Sequence, residues 1–152
     1  MLFRSFSLRE LLASCIHKLN VPGGREVHVT ILPDDDLLLT ADRMHLMNMI
    51  DNLLENAVKY SHERVDIEID YRKCDNDGVR ISVRDNGFGI PKSEIGHIFE
   101  KFYRGRIGRN REIAGMGLGL AYVRMLAEAH RGTVRIESEW NHGSTFIIEL
   151  PQ

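Results

Sequence analysis

Cysteine is scarce in this chain, with only Cys15 and Cys74 among 152 residues. They stand far apart and neither belongs to a C-x-x-C pair, which argues against a zinc site or a disulfide framework and fits a reducing compartment. A charge excess of one sign is also missing: 20 Lys and Arg face 22 Asp and Glu, a formal charge of −2. No broad basic field is therefore available to hold nucleic acid. No apolar run approaches the roughly 18–20 residues of a membrane span. The opening Met1-Leu-Phe-Arg-Ser-Phe lacks an apolar stretch of signal-peptide length. These absences predict a soluble domain with neither nucleic acid nor membrane as a direct partner.

What is present supports a packed core. Hydrophobic residues make up 43% and charged residues 28%, a balance unlike that of disordered chains. The length suits one domain, residues 1–152. Ser7 followed by Glu10 forms a capping-box pattern ahead of Leu8, Leu11, Leu12, Ile16 and Leu19, predicting a helix over about 7–19 that Pro22-Gly23-Gly24 ends. Val27, Val29 and Ile31 alternate as in a strand, and Leu37–Leu39 reads as a short second one. Asp42 is placed to cap a long helix, about 43–60, with Leu46, Met49, Ile50, Leu53, Leu54 and Ala57 at helical spacing. Two alternating runs around Asp75-Asn-Asp-Gly78 read as a hairpin. A helix over about 117–129 and strands over 133–139 and 144–150 complete the chain. The expected architecture is α+β, an α/β sandwich with helices on one face of a mixed, largely antiparallel sheet.

Four constellations carry chemistry. Asn52, Asn56 and Lys59 are four and three residues apart and share one stripe of the long helix. An amide oxygen is a hard, neutral ligand suited to Mg²⁺, and a lysine neutralises phosphate. Taken alone, the stripe fits a solvated helix face equally well. Asp85-Asn-Gly87-Phe-Gly89-Ile90-Pro91 follows a strand, and its glycines permit close backbone approach to a ligand. A strand-end Asp accepts a hydrogen bond from an exocyclic amine such as adenine's, although a plain turn explains an isolated D-x-G-x-G. Gly115-Met-Gly117-Leu118-Gly119-Leu120 opens a helix, and bare amides at a helix N-terminus favour phosphate. There is no G-x-x-x-x-G-K-[ST], and the G-x-G-x-G spacing without a βαβ unit excludes a dinucleotide fingerprint. Gly143-Ser-Thr145-Phe146 is a turn into the last strand and carries little by itself.

In order and spacing the set is specific. Asn-x-x-x-Asn, D-x-G-x-G-I, Ile98-Phe-Glu-Lys-Phe102-Tyr-Arg104, G-x-G-L-G-L and G-S-T-F together resemble the asparagine, phenylalanine and glycine-rich boxes of the ATP-binding catalytic domain of sensor histidine kinases. The resemblance spans nearly the whole chain and implies the Bergerat (GHKL) fold, with ATP held between helices and a flexible lid. It implies Asn56 as Mg²⁺ ligand with Asn52 lining the same site, Lys59 on phosphate, and Tyr60 near adenine or ribose. It further implies Asp85 on the adenine amine, with Gly87, Gly89 and Ile90 shaping the pocket. Gly115, Gly117, Leu118, Gly119 and Leu120 would form the phosphate-binding segment, and Thr145 would support Asp85. Phe99 and Phe102 would anchor the base of a lid over 105–114, and Arg104 would reach the γ-phosphate.

The family's acceptor histidine lies on a separate dimerisation domain, and none of the seven histidines here has that context. His62-Glu63 superficially resembles the acceptor dipeptide but falls at a turn. The resemblance thus implies a catalytic domain that binds Mg-ATP and phosphorylates a histidine elsewhere in a full-length, cytoplasmically oriented sensor, with a response regulator downstream. Residues 1–6 read as the remnant of the junction to the missing domain, with Leu2, Phe3 and Phe6 exposed. Arg106, Arg109 and Arg111 in the lid either steer phosphate or keep the loop solvated. Rival readings are an ATP-hydrolysing GHKL ATPase, an anti-sigma-type serine/threonine kinase and a nucleotide-free, partner-binding pseudo-kinase. Asn52 stands where the first two place a glutamate base. The retained Asn56, Lys59, Asp85 and glycines oppose the third.

Overall fold

A computed structural model of the chain describes residues 1–104 and 118–152. The elements are β1 (Phe3–Ser7), α1 (Leu8–His17), β2 (Glu26–Ile31), β3 (Leu38–Asp42), α2 (Arg43–Lys59), β4 (Arg64–Lys73), β5 (Val79–Asp85), α3 (Gly119–Ala129), β6 (Thr133–Ser138) and β7 (Ser144–Leu150). The fold is α+β.

Both predicted caps form. The Ser7 hydroxyl accepts the Glu10 N–H at 3.1 Å and the Asp42 carboxylate accepts the His45 N–H at 3.0 Å, each satisfying a donor that the first helical turn leaves open. The apolar stripe of α2 is buried throughout. Burial of each of its leucines contributes about 1.5–3 kcal/mol. This stripe fixes the rotation of α2, and so decides which polar residues reach the site.

The main sheet runs β2-β4-β5-β7-β6. β2 and β4 are parallel, with α2 in the crossover between them, and the other neighbours are antiparallel. Period-two alternation turns Val65, Ile67 and Ile69 of β4, Val79, Ile81 and Val83 of β5, and Phe146, Ile148 and Leu150 of β7 into the core beneath the helices. The opposite face carries charge, including an Arg80–Glu149 ion pair at 2.9 Å.

The N-terminal segment departs from its sequence reading. Residues 3–7 form β1, antiparallel to β3 with Phe3 opposite Asp42, and β3 extends beyond the expected 37–39 to Asp42. Local pattern could not foresee this, because the pairing partner lies more than thirty positions away. Leu2 and Phe3 are exposed as expected, whereas Phe6 is half-buried against the core. Phe3 stacks on the ring of His130, centroids 5.1 Å apart. Buried His130 donates from Nδ1 to the Leu126 carbonyl at 2.8 Å and accepts the Asp42 N–H at Nε2 at 3.1 Å. One neutral tautomer therefore joins the C-terminus of α3 to the start of α2.

Candidate functional site

A cleft of about 630 Å³, open to solvent, lies between the C-terminal half of α2, the loop after β5, the β6–β7 turn and residues 91–104. Asn56 and Tyr60 line it from α2, Asp85, Gly89 and Ile90 from β5 and its loop, and Trp140 and Ser144 from the β6–β7 side.

Asp85 ends β5 and is register partner to Ser144 of β7. Its carboxylate accepts the Gly87 N–H at 2.8 Å. Burial pushes its carboxyl up to about 6, while the N–H groups of Gly87 and Ser144 pull the other way. A desolvated carboxylate held on one side by two amides and facing a cleft is an acceptor for a ligand's N–H donor.

The glycines around it are set by crowding. A Cβ on Gly87 would strike the Tyr60 carbonyl, and one on Gly89, where φ is +72°, would strike the Glu139 carbonyl. Phe88 N–H donates to the Tyr60 carbonyl at 2.9 Å, and Asn141 N–H donates to the Phe88 carbonyl at 2.6 Å. Asn86 accepts the Asp66 N–H at 2.9 Å, which pins the loop to β4. The loop after β5, the end of α2 and the β6–β7 turn thus interlock around Asp85.

The α2 stripe divides. Asn56 faces the cleft. Half-buried Asn52 donates to the carbonyl of Asn48 at 2.8 Å, and its Oδ1 would lie 2.9 Å from a Cβ on Gly119 at the start of α3. Lys59 is exposed and does not line the cleft. Burial raises the Tyr60 phenol, against the lowering effect of the Arg104 charge, and both residues line the cleft. Arg25, just before β2, donates to the carbonyls of Val58 at 2.6 Å and Ser61 at 2.8 Å, and also to that of His62. It caps the helix end that carries Asn56 and Tyr60.

Several expectations shift. Ser144, not Thr145, sits beside Asp85: Thr145 pairs with Arg84 and points to the other face of the sheet, as period-two alternation requires. Phe99 is half-buried and meets Phe146 edge-on at 6.4 Å, whereas Phe102 is 65% exposed at φ +64°. Leu118 is exposed while Leu120 lines the cleft. Gly115, Gly117 and the 105–114 segment with Arg106, Arg109 and Arg111 lie outside the described residues. Sequence reasoning missed Trp140, Tyr103, Glu94 and Ser144 as lining residues. The available signals were that Trp140 is the sole tryptophan and that Ser144 occupies the strand position opposite Asp85.

The family model described as "Histidine kinase-, DNA gyrase B-, and HSP90-like ATPase" matches residues 41–152. The sensor protein RprX of Bacteroides fragilis is 45% identical over 115 residues, 75% of this chain and 22% of that protein. The sensor histidine kinase WalK of Bacillus subtilis is 37% identical over 132 residues, 84% of this chain and 21% of that protein. The chain thus spans about a fifth of the length of these relatives. Among solved structures, full-length ShkA in complex with AMPPNP superposes with a TM-score of 0.77 at 28% identity, covering 98% of this chain and 31% of that one.

Proposed function

The chain belongs to the family of histidine kinase-, DNA gyrase B- and HSP90-like ATPases, and on that footing we propose that it is the ATP-binding catalytic domain of a sensor histidine kinase. In this reading it binds Mg-ATP and donates the γ-phosphoryl group to a histidine on a separate dimerisation domain. The observation that carries the reading is the Asp85 carboxylate, backed by the Gly87 and Ser144 amides and turned into a cleft whose other wall presents Asn56 and Tyr60. The ShkA complex, which holds an ATP analogue, supports it.

Asp85 accepts the exocyclic amine of adenine, and the Gly87–Ile90 backbone forms the floor beneath the base. Tyr60 lies toward the base or ribose, Arg104 toward the terminal phosphate, and Gly119 at the start of α3 toward the phosphate chain. Asn56 fits Mg²⁺ by its donor chemistry: a single amide oxygen on the cleft wall suffices for an ion that keeps waters and phosphate oxygens as its other ligands. When bound, that ion neutralises phosphate charge, and the protein's share of phosphoryl transfer is positioning and electrostatics. Asn52 does not supply a general base, and exposed Glu55 turns away from the cleft, so steady hydrolysis is slow. The receiving histidine, the downstream response regulator and a cytoplasmic placement belong to the same proposal. Exposed His62, whose ring meets Phe88 edge-on at 4.7 Å, is not the acceptor.

Incubation of the chain alone with γ-labelled ATP tests the division of labour. Nucleotide binds, but no stable acid-labile phosphate accumulates on the chain. Stoichiometric phosphohistidine on the chain itself would overturn it.

A further inference from the structure

Trp140 has no part in the reading above. It is the only tryptophan in the chain and occupies the tip of the β6–β7 turn, where a large aromatic ring would ordinarily face water. Instead it is half-buried and lines the cleft with Ile90, Pro91 and Glu94. The turn that presents it is fixed from both sides. Asn141, at φ +70°, donates its N–H to the Phe88 carbonyl at 2.6 Å. His142 N–H donates to the Glu139 carbonyl at 2.9 Å. Ser138 Oγ accepts the Ile90 N–H at 2.8 Å and lies 2.8 Å from Ser144 Oγ. Gly143, at φ +81°, leaves no room for a Cβ against the Asp85 carbonyl. The indole is therefore carried on the same locked unit as Asp85.

We propose that Trp140 is an aromatic wall of the cleft against which the purine of a bound nucleotide packs, a second base-binding residue beside Asp85. This rests on the nucleotide reading of the cleft. The two residues divide the work: a carboxylate selects the exocyclic amine, whereas ring contact adds affinity without reading base identity.

The test uses the whole chain with ADP, adenosine and inorganic tripolyphosphate, following indole emission and calorimetric affinity. As the sole tryptophan, Trp140 alone sets the emission. ADP and adenosine change it and tripolyphosphate does not. Trp140→Ala weakens ADP and adenosine alike by about tenfold and leaves tripolyphosphate unchanged, while Trp140→Phe keeps affinity within about threefold. Equal losses for all three probes would mark a collapsed turn and overturn the assignment. ADP binding by the unmutated chain with unchanged emission would overturn it without any variant and leave the nucleotide reading intact. Absence of ADP binding by the unmutated, folded chain would remove the nucleotide reading and this inference with it.

Discussion

Replacing Asp85 by Asn should stabilise the ligand-free fold at neutral pH while impairing its ligand chemistry. Burial lifts the Asp85 carboxyl from an ordinary 3.8 to about 6, so the native state holds this proton more tightly than the unfolded chain does. Below about 4 both states are protonated and the group has no effect. Between about 4 and 6 the unfolded chain releases the proton first, and stability falls as pH rises; above about 6 the full penalty is present. The two limits differ by roughly 3 kcal/mol at 1.36 kcal/mol per unit. An amide recovers only part of this, because it can accept the Gly87 N–H but its NH₂ opposes a second donor. The expected gain is about 1–2 kcal/mol at pH 8, a rise in Tm of roughly 2–8 °C for a domain of this size. Thermal melts of both proteins from pH 5 to pH 8 give the difference, and effects from other carboxylates cancel. The gap should widen with pH and shrink by about 1.4 kcal/mol at pH 5. An Asn variant less stable than the parent by a constant amount across this range would refute the reasoning. It would mean that Asp85 is a satisfied, ionised carboxylate in the empty site.

The same titration governs binding: a ligand amine favours ionised Asp85, so AMPPNP affinity should fall as pH drops through about 6, and a flat profile between pH 5 and pH 8 would count against the contact. Gly143→Ala places a Cβ against the Asp85 carbonyl at φ +81° and should cost about 2–4 kcal/mol in denaturant melts. Gly23→Ala, at φ +76° with open space around it, should cost only about 1 kcal/mol. Arg25→Ala strips the cap from the last turn of α2. It should lower stability by about 1–2 kcal/mol and weaken AMPPNP binding, and Arg25→Lys, which cannot fork across several carbonyls, should rescue little.

Elements whose information is local were legible in the sequence. The capped, periodic α2 and the Asn/Asp/Gly hairpin between β4 and β5 lie where pattern put them, because a cap and a 3.6-residue stripe act within a few turns. β1 escaped because its stability comes from pairing with distant β3. Within the site, Asp85 and the glycines of its loop were readable as an ordered motif and Asn52, Asn56 and Lys59 as one stripe, but not that Asn56 is the stripe residue that lines the described cleft. A motif fixes sequence position but not facing: the pleat of β7 sets Ser144 rather than Thr145 opposite Asp85, and the buried stripe of α2 leaves Lys59 exposed, outside the described cleft lining. Trp140 reaches the cleft only because the β6–β7 turn docks on Phe88 and Gly89, a tertiary contact without sequence periodicity.

Calorimetric titration of AMPPNP, with and without Mg²⁺, into the whole chain and its Asn56→Ala variant tests the central claim most directly. Saturable binding at one site per chain, weakened in the variant chiefly when Mg²⁺ is present, is the predicted result. A folded chain that takes up no AMPPNP under either condition would contradict the account of this cleft as a nucleotide site.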